Sequence, residues 1–186
     1  IVENLLEFEN EIRKILVNHD DLKIYEPLSN WTTWKVGGPA EYLVFPSSIE
    51  ETAGVIRTAK SFNVPVVILG NGSNVLVKDK GIRGLVINTK KLISINVSGT
   101  EILAESGSTM PRLAGVACRH GLAGLEFSVG IPASFGGAIL MNAGAWGKSI
   151  GELIKEVTVV NGCGEIRVIQ GSKLGFRYRK SSLQDN

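Results

Sequence analysis

The sequence predicts an α+β fold in two parts, and three observations carry that expectation. Residues 42–69 have the order strand, helix, strand, one βαβ unit of suitable length. From residue 85 onward, short β segments separated by turns replace that order, which argues against a doubly wound sheet. Asn161-Gly162-Cys163-Gly164 separates two apolar runs and is a strong hairpin signal. The change of order sets the expected boundaries. They are an N-terminal amphipathic helix over 1–20, a first subdomain over 21–90 and a second over 91–186.

Each element has a local reason. Leu5, Phe8, Ile12, Ile15 and Leu16 follow helical spacing, predicting an amphipathic helix over 3–18. The next stretch opens like a turn and breaks at Gly37-Gly38-Pro39, after which 42–45 reads as strand. Ser48-Ile49-Glu50-Glu51 has the capping-box pattern, and Ala53, Ile56, Ala59 and Lys60 continue a helix to about Asn63. Pro65 opens a strand over 66–69. Further β segments are expected at 85–88, 92–97 and 102–106. Thr109 caps a helix that begins at Pro111, ends at His120 and stops at Gly121. Strands at 157–160 and 165–169 flank the hairpin turn.

Composition narrows the function classes. Lys plus Arg is 20 against 18 for Asp plus Glu, so the net charge of +2 gives no electrostatic argument for nucleic acid or an anionic membrane. Uncharged apolar stretches fall well short of the roughly 20 residues that span a bilayer. The acidic, amphipathic start over 1–11 does not resemble a secretory signal. Cys118 and Cys163 read as reduced thiols of a cytoplasmic protein, with a single disulfide left open. His19 and His120 have no partner at metal spacing, so no metal is expected.

Glycine, at 22 of 186, is clustered rather than spread, which suggests tight turns or backbone brought close to something. In "VVILGNGSNVLV", residues 66–77, two glycines, two asparagines and a serine interrupt an apolar run. Two readings stand. Successive backbone N–H groups could line an anion-binding nest, with Gly removing the Cβ atoms that would block a phosphate. Alternatively, the residues make a β-turn between two strands. The segment lacks both the Gly-Lys-Ser/Thr of a P-loop and a GxGxxG opening a helix. In 124–154, seven glycines and Pro132 lie among Phe127, Phe135, Met141 and Trp146, with Ser134 and Asn142 as polar handles. That suits a flat heteroaromatic cofactor, or equally a Gly-rich helix start packed in a core. "GFRYRKSSL", 175–183, is either a carboxylate-binding site built on Arg179 or a solvated basic edge.

Taken together, "TTWKVGGPAEYLVFP", "LGNGSNVLV", "GLEFSVGIPASFGGAILMNAGAWG" and "FRYRKS", in this order, resemble the UDP-N-acetylenolpyruvoylglucosamine reductase (MurB) family. The resemblance spans roughly residues 25–186. It implies a two-subdomain FAD-binding fold of the vanillyl-alcohol-oxidase/MurB type, with non-covalent FAD clasped between the subdomains. It further implies that residues 69–74 (Leu69, Gly70, Asn71, Gly72, Ser73, Asn74) hold the FAD pyrophosphate and that Val36, Gly37 and Gly38 add to that face. Gly130, Ile131, Pro132, Ser134, Gly137, Ala138, Asn142 and Ala143 would line the isoalloxazine and ribityl side. Tyr178 and Arg179 match the family's substrate-binding pair, with Arg179 catalytic beside the enolpyruvyl carboxylate. NADPH is the family's hydride donor, a UDP-sugar enolpyruvyl ether its substrate, and peptidoglycan precursor synthesis in the cytoplasm its setting. A monomer is expected.

Two residues depart from the pattern: Ala133 where "GIPG" is common and Trp146 where "NAGAYG" is common. The family continues into a substrate-binding domain with a serine proton donor and a late glutamate, and no segment of 1–186 matches these. The chain is thus expected to bind FAD and turn over poorly. The alternatives are another FAD-dependent oxidoreductase of the same superfold, or a non-catalytic nucleotide-binding module.

Overall fold

The computed structural model describes residues 2–184, with side chains from residue 6 onward. The chain forms two compact units: residues up to Lys91 together with Val160–Arg167, and Leu92–Val159 together with the residues from Val168 on. The division therefore takes the tip of a late hairpin back into the first unit and gives the N-terminal helix no separate domain.

In the first unit, β1 (Leu22–Pro27), β2 (Pro39–Val44), β3 (Val66–Leu69) and β4 (Ile82–Asn88) form one sheet in the order β1-β2-β4-β3. β1 runs antiparallel to β2, while β4 lies parallel to both β2 and β3. The βαβ unit is thus present, with β4 inserted between its two strands. Alternation along the central strands separates two cores. Tyr42, Val44, Leu85 and Ile87 face the helices, whereas Leu43, Phe45 and Val86 face Leu28 and Trp31. Ala40 also belongs to the second set, and the β2–β4 register shifts between Ala40 and Tyr42.

The sequence expectation missed β1, whose Leu-Lys-Ile-Tyr-Glu-Pro is mostly exposed and carries no buried alternation. Residues 75–77 form no strand, although they are apolar; Val75 and Leu76 are exposed. The reading of 70–74 as a turn between two strands is thereby corrected.

α1 (Val2–Ile15) buries Phe8 and Ile12 against α2 (Ile49–Ser61) and the sheet; Leu5 lies outside the described side chains. α1 ends three residues before the expected 18, and the cause is Glu51. Ser48 Oγ accepts the Glu51 N–H at 3.1 Å, as a capping box requires. The Glu51 carboxylate does not return to Ser48. It accepts N–H groups from Ser47 (2.6 Å) and Val17 (2.8 Å), drawing Val17 out of the helix.

Burial pushes the Glu51 carboxyl upward, but the Ser47 and Val17 N–H groups, the Ser47 hydroxyl and the Lys91 charge outweigh it. Its pKa falls below the ordinary 4.5. A depressed folded pKa adds stability that is present above the unfolded value and disappears as pH falls through the folded one. Glu51→Gln is expected to cost about 2 kcal/mol at neutral pH. In urea titrations run from pH 7 downward, the gap to wild type should narrow only below the unfolded pKa. A gap that is constant to acid pH would show that the ionised form contributes nothing.

In the second unit, β5 (Ile95–Ser98) and β6 (Glu101–Ala104) form a hairpin, followed by α3 (Met110–Arg119) and the short α4 (Phe135–Leu140). β7 (Gly144–Ala145) pairs with β8 (Lys148–Ser149), and β9 (Glu156–Val160) with β10 (Ile166–Gln170). Met110, Phe127, Ala138, Ala143 and Ile150 form one core cluster; Ile139, Val157 and Leu174 form another. Among the described residues, no helix is long and apolar enough to cross a membrane.

Candidate functional site

The loop after β3 is held by the segment before it in sequence. Thr33 N–H donates to the Gly72 carbonyl at 3.0 Å, and Thr33 Oγ1 to that of Asn71 at 3.4 Å. Gly72 has φ +65°, and a Cβ there would collide with the Trp31 carbonyl oxygen and lie 2.8 Å from Thr32 Cα. Thr32 is itself buried and ties its hydroxyl to the Val36 carbonyl at 2.8 Å. The Asn71 and Gly72 carbonyls are therefore both engaged by Thr33. Among the described residues, no hydrogen bond takes up the N–H groups of Gly72, Ser73 or Asn74. Consecutive unengaged donors on a braced backbone are what a backbone anion site requires.

Gly37 and Gly38 have a different reason for being glycine. A Cβ on Gly37 would lie 2.9 Å from Val77 Cβ, and one on Gly38 would overlap the Asp79 carbonyl. Gly38 N–H and Gly81 N–H share the Lys78 carbonyl at 3.1 and 2.8 Å. The protein thus accounts for these glycines by its own close packing. The first unit brings 36–38 and 69–74 together through this bracing. Leu69 has its side chain in the core, so only its backbone is available, while Val36 is exposed.

The second unit sorts residues 130–143 as sharply. Gly130 is exposed and a Cβ there would meet nothing within 4 Å, so no internal contact explains it. Ile131 is half-buried against the core, and Pro132 is exposed. Ala138 and Ala143 are core residues. Ser134 caps α4 by accepting the Gly137 N–H at 3.4 Å, so this polar handle serves the helix. Phe135 and Gly136 N–H donate to the Ser108 and Ser106 carbonyls at 2.7 and 2.8 Å. Unlike the 70–74 loop, this glycine-rich stretch has already spent its first donors internally.

Asn142 is spent too. At φ +43°, it accepts the Gly151 N–H at 2.9 Å and donates to the Arg177 carbonyl at 3.0 Å. Its side chain therefore fixes the approach of the 177–180 turn instead of standing free for a ligand. Arg177 and Lys180 exchange backbone hydrogen bonds of 2.9 and 3.1 Å, leaving Tyr178 and Arg179 at the tip. Ser181 Oγ and Gln184 Nε2 both donate at 2.8 Å to the Leu140 carbonyl, anchoring the other side of the turn. Tyr178 is 92% exposed, and the Arg179 guanidinium carbon lies 5.9 Å from its ring centroid. Arg179 adopts φ +55°, a left-handed conformation that costs a non-glycine residue about 1 kcal/mol.

The profile of a family described as FAD binding domain matches residues 40–170. The chain belongs to this FAD binding domain family. The family match spans both units and agrees with the mixed helix-and-sheet architecture. The chain is 46% identical over 165 residues to a UDP-N-acetylenolpyruvoylglucosamine reductase of Lactiplantibacillus plantarum, covering 89% of this chain and 55% of that protein. It is 45% identical over 177 residues to a reductase of the same name from Streptococcus mutans, covering 95% and 58%. The solved reductase (MurB) of Thermus caldophilus matches with a TM-score of 0.72 at 35% identity, over 86% of this chain and 55% of that one. p-Cresol methylhydroxylase matches with a TM-score of 0.64 at 18% identity, over 89% and 35%, and shows the fold alone. The chain spans about half the length of the curated relatives it matches.

Sequence reasoning missed the bracing. Thr32 and Thr33 lie in the quoted 32–46 motif, but nothing in sequence links them or Trp31 to the 70–74 loop, and the requirement for Gly72 becomes visible only when the two segments meet. Trp146 was singled out in sequence, but its backbone was not: it sits at φ +57° before Gly147 at +76° in the β7–β8 turn, and it is 93% exposed rather than packed among the other aromatic residues. A bulky residue in a turn that favours Asn or Gly is a detectable anomaly.

Proposed function

We propose that the chain is the FAD-binding part of a UDP-N-acetylenolpyruvoylglucosamine reductase, the enzyme that forms UDP-N-acetylmuramate for peptidoglycan. The reading rests on 46% identity over 89% of the chain to a reductase of that name. The unengaged N–H groups of Gly72, Ser73 and Asn74 fit the cofactor's diphosphate, which backbone donors can hold without lysine. Gly130, together with Ile131 and Pro132, is assigned to the flavin side, where a residue without a side chain permits close approach of a planar ring. Ser134, Gly137, Ala138, Asn142 and Ala143 support that surface from within. When bound, FAD supplies two-electron hydride chemistry.

Tyr178 and Arg179 are assigned to the substrate, with the Arg179 fork paired to the enolpyruvyl carboxylate. The same reading makes NADPH the hydride donor, the cytoplasm the compartment and a monomer the working unit. FAD is bound non-covalently in this assignment.

Titration with FAD tests it. The purified chain should quench flavin fluorescence and show the absorption bands of protein-bound oxidised flavin, and denaturation should release the flavin. Gly130→Ala should leave the urea midpoint near that of wild type, because its Cβ meets no neighbour, yet weaken FAD about tenfold through lost close approach. Equal FAD affinity in the variant would remove Gly130 from the site, and a chain that takes up no FAD would remove the function.

A further inference from the structure

We propose that Lys60 and Cys163 form a reversible sulfur–nitrogen cross-link when the protein meets peroxide. Lys60 Nζ donates to Cys163 Sγ at 2.8 Å, and the two residues are 103 positions apart. The contact follows from backbone docking and not from two long side chains meeting by chance. Asn161 Oδ1 accepts the Cys163 and Glu165 N–H groups at 2.9 and 3.0 Å, and Gly164 N–H donates to the Asn161 carbonyl at 2.9 Å. These bonds fix the turn that carries Cys163.

The turn in turn rests on α2. Arg57 Nη1 donates to the Gly164 carbonyl at 2.8 Å, and a Cβ at Gly164 would strike Arg57 Cγ and lie 2.6 Å from the Ala53 carbonyl oxygen. Lys60 follows Arg57 by three residues and therefore shares its face of the helix. Both Lys60 and Cys163 are exposed, so a small oxidant reaches the sulfur. The bond to sulfur also raises the Lys60 pKa above its ordinary 10.5, which keeps its proton in place before oxidation.

The chemistry balances in two steps. The Cys163 sulfur attacks the peroxide O–O bond; sulfur is oxidised by two electrons, peroxide is reduced, and the products are a sulfenic acid and water. Lys60 then delivers a proton to the sulfenic hydroxyl, which leaves as water. The freed amine forms the S–N bond, releasing a second proton to solvent. Two equivalents of an external thiol reverse the link, regenerating Cys163 and Lys60 and forming a disulfide between the two reductant molecules. Cys118, exposed on α3, is the internal comparison.

Intact-mass analysis after mild hydrogen peroxide tests the proposal. The chain should lose about 2 Da, the sum of the two hydrogens removed. Proteolysis should give one fragment joining the Lys60 and Cys163 segments, and excess thiol should restore the mass. Cys118→Ser should retain the cross-link. Lys60→Gln and Cys163→Ser should abolish it, with Lys60→Gln gaining oxygen at Cys163 instead. A loss that vanishes in Cys118→Ser would identify an ordinary disulfide and overturn the proposal. So would its persistence in Lys60→Gln, or oxygen addition at Cys163 without the joined fragment in the wild type.

Discussion

Arg179→Ala is expected to lower turnover about 100- to 1000-fold, the loss typical when one charge-stabilising donor is removed from a reaction site. The measurement requires a protein that joins this chain to the part of the relatives it does not span. FAD content should stay unchanged, because Arg179 sits at the tip of the 177–180 turn and braces neither glycine segment. Two further variants separate charge from scaffold. Arg179→Lys keeps the cation but loses the planar fork, so it should recover only part of the rate. Arg179→Gly relieves the φ +55° backbone and should be at least as stable as wild type while remaining as slow as Arg179→Ala. Stability that does not fall on removing a strained side chain, together with lost turnover, is the pattern of a residue held for function. Unchanged turnover in Arg179→Ala would take this residue out of the reaction.

Gly81→Ala is expected to be the most damaging small substitution in the first unit, costing about 3 kcal/mol or more from left-handed backbone plus overlap. Gly81 has φ +75°, and its Cβ would fall on the Pro39 carbonyl oxygen. Pro39 opens β2, so relieving the clash means moving a sheet strand or the Gly38–Lys78 contact beside it. Gly99→Ala is the control. Gly99 has φ +58° with nothing within 4 Å of its added Cβ, so it should show only the conformational cost, about 1 kcal/mol. Urea midpoints of the two variants, compared with wild type, give the steric part by difference. Equal losses would mean that the 37–39 and 78–81 segments yield freely to the added methyl group.

Much of the fold was legible because its causes are local. Pro65 and the apolar run behind it marked β3; Pro111 and Gly121 bracketed α3; Asn161-Gly162-Cys163-Gly164 marked the turn between β9 and β10. What could not be read depends on distant partners. β1 is exposed along much of its length and becomes a strand because β2 offers it an edge. Residues 75–77 are apolar enough for a strand, yet the segment is taken up by packing against Gly37 and by the Lys78 carbonyl's two donors. Glu51 belongs to a capping pattern in sequence, but Val17, 34 positions away, claims its carboxylate.

The candidate site divides in the same way. Glycine clustering drew attention to 70–74 and 130–137, but the letters alone could not separate glycines required by the protein's own packing from those with no such neighbour. Gly38 and Gly72 are explained by neighbouring carbonyls, whereas Gly130 has no such neighbour. Likewise Ser134 and Asn142 look like ligand handles in sequence, and the structure spends them on a helix cap and on the seat of the Arg179 turn.

The return of Val160–Arg167 to the first unit bears on how the protein is made. A nascent chain exposes everything up to Lys91 well before that hairpin tip is synthesised, although domains usually mature in order from the N-terminus. Until then Ala53 and Arg57 face an open patch on α2 that Gly164 will later cover. Maturation of the first half thus waits on translation of most of the second, and cutting the gene at the 91/92 junction would yield a fragment with a missing piece.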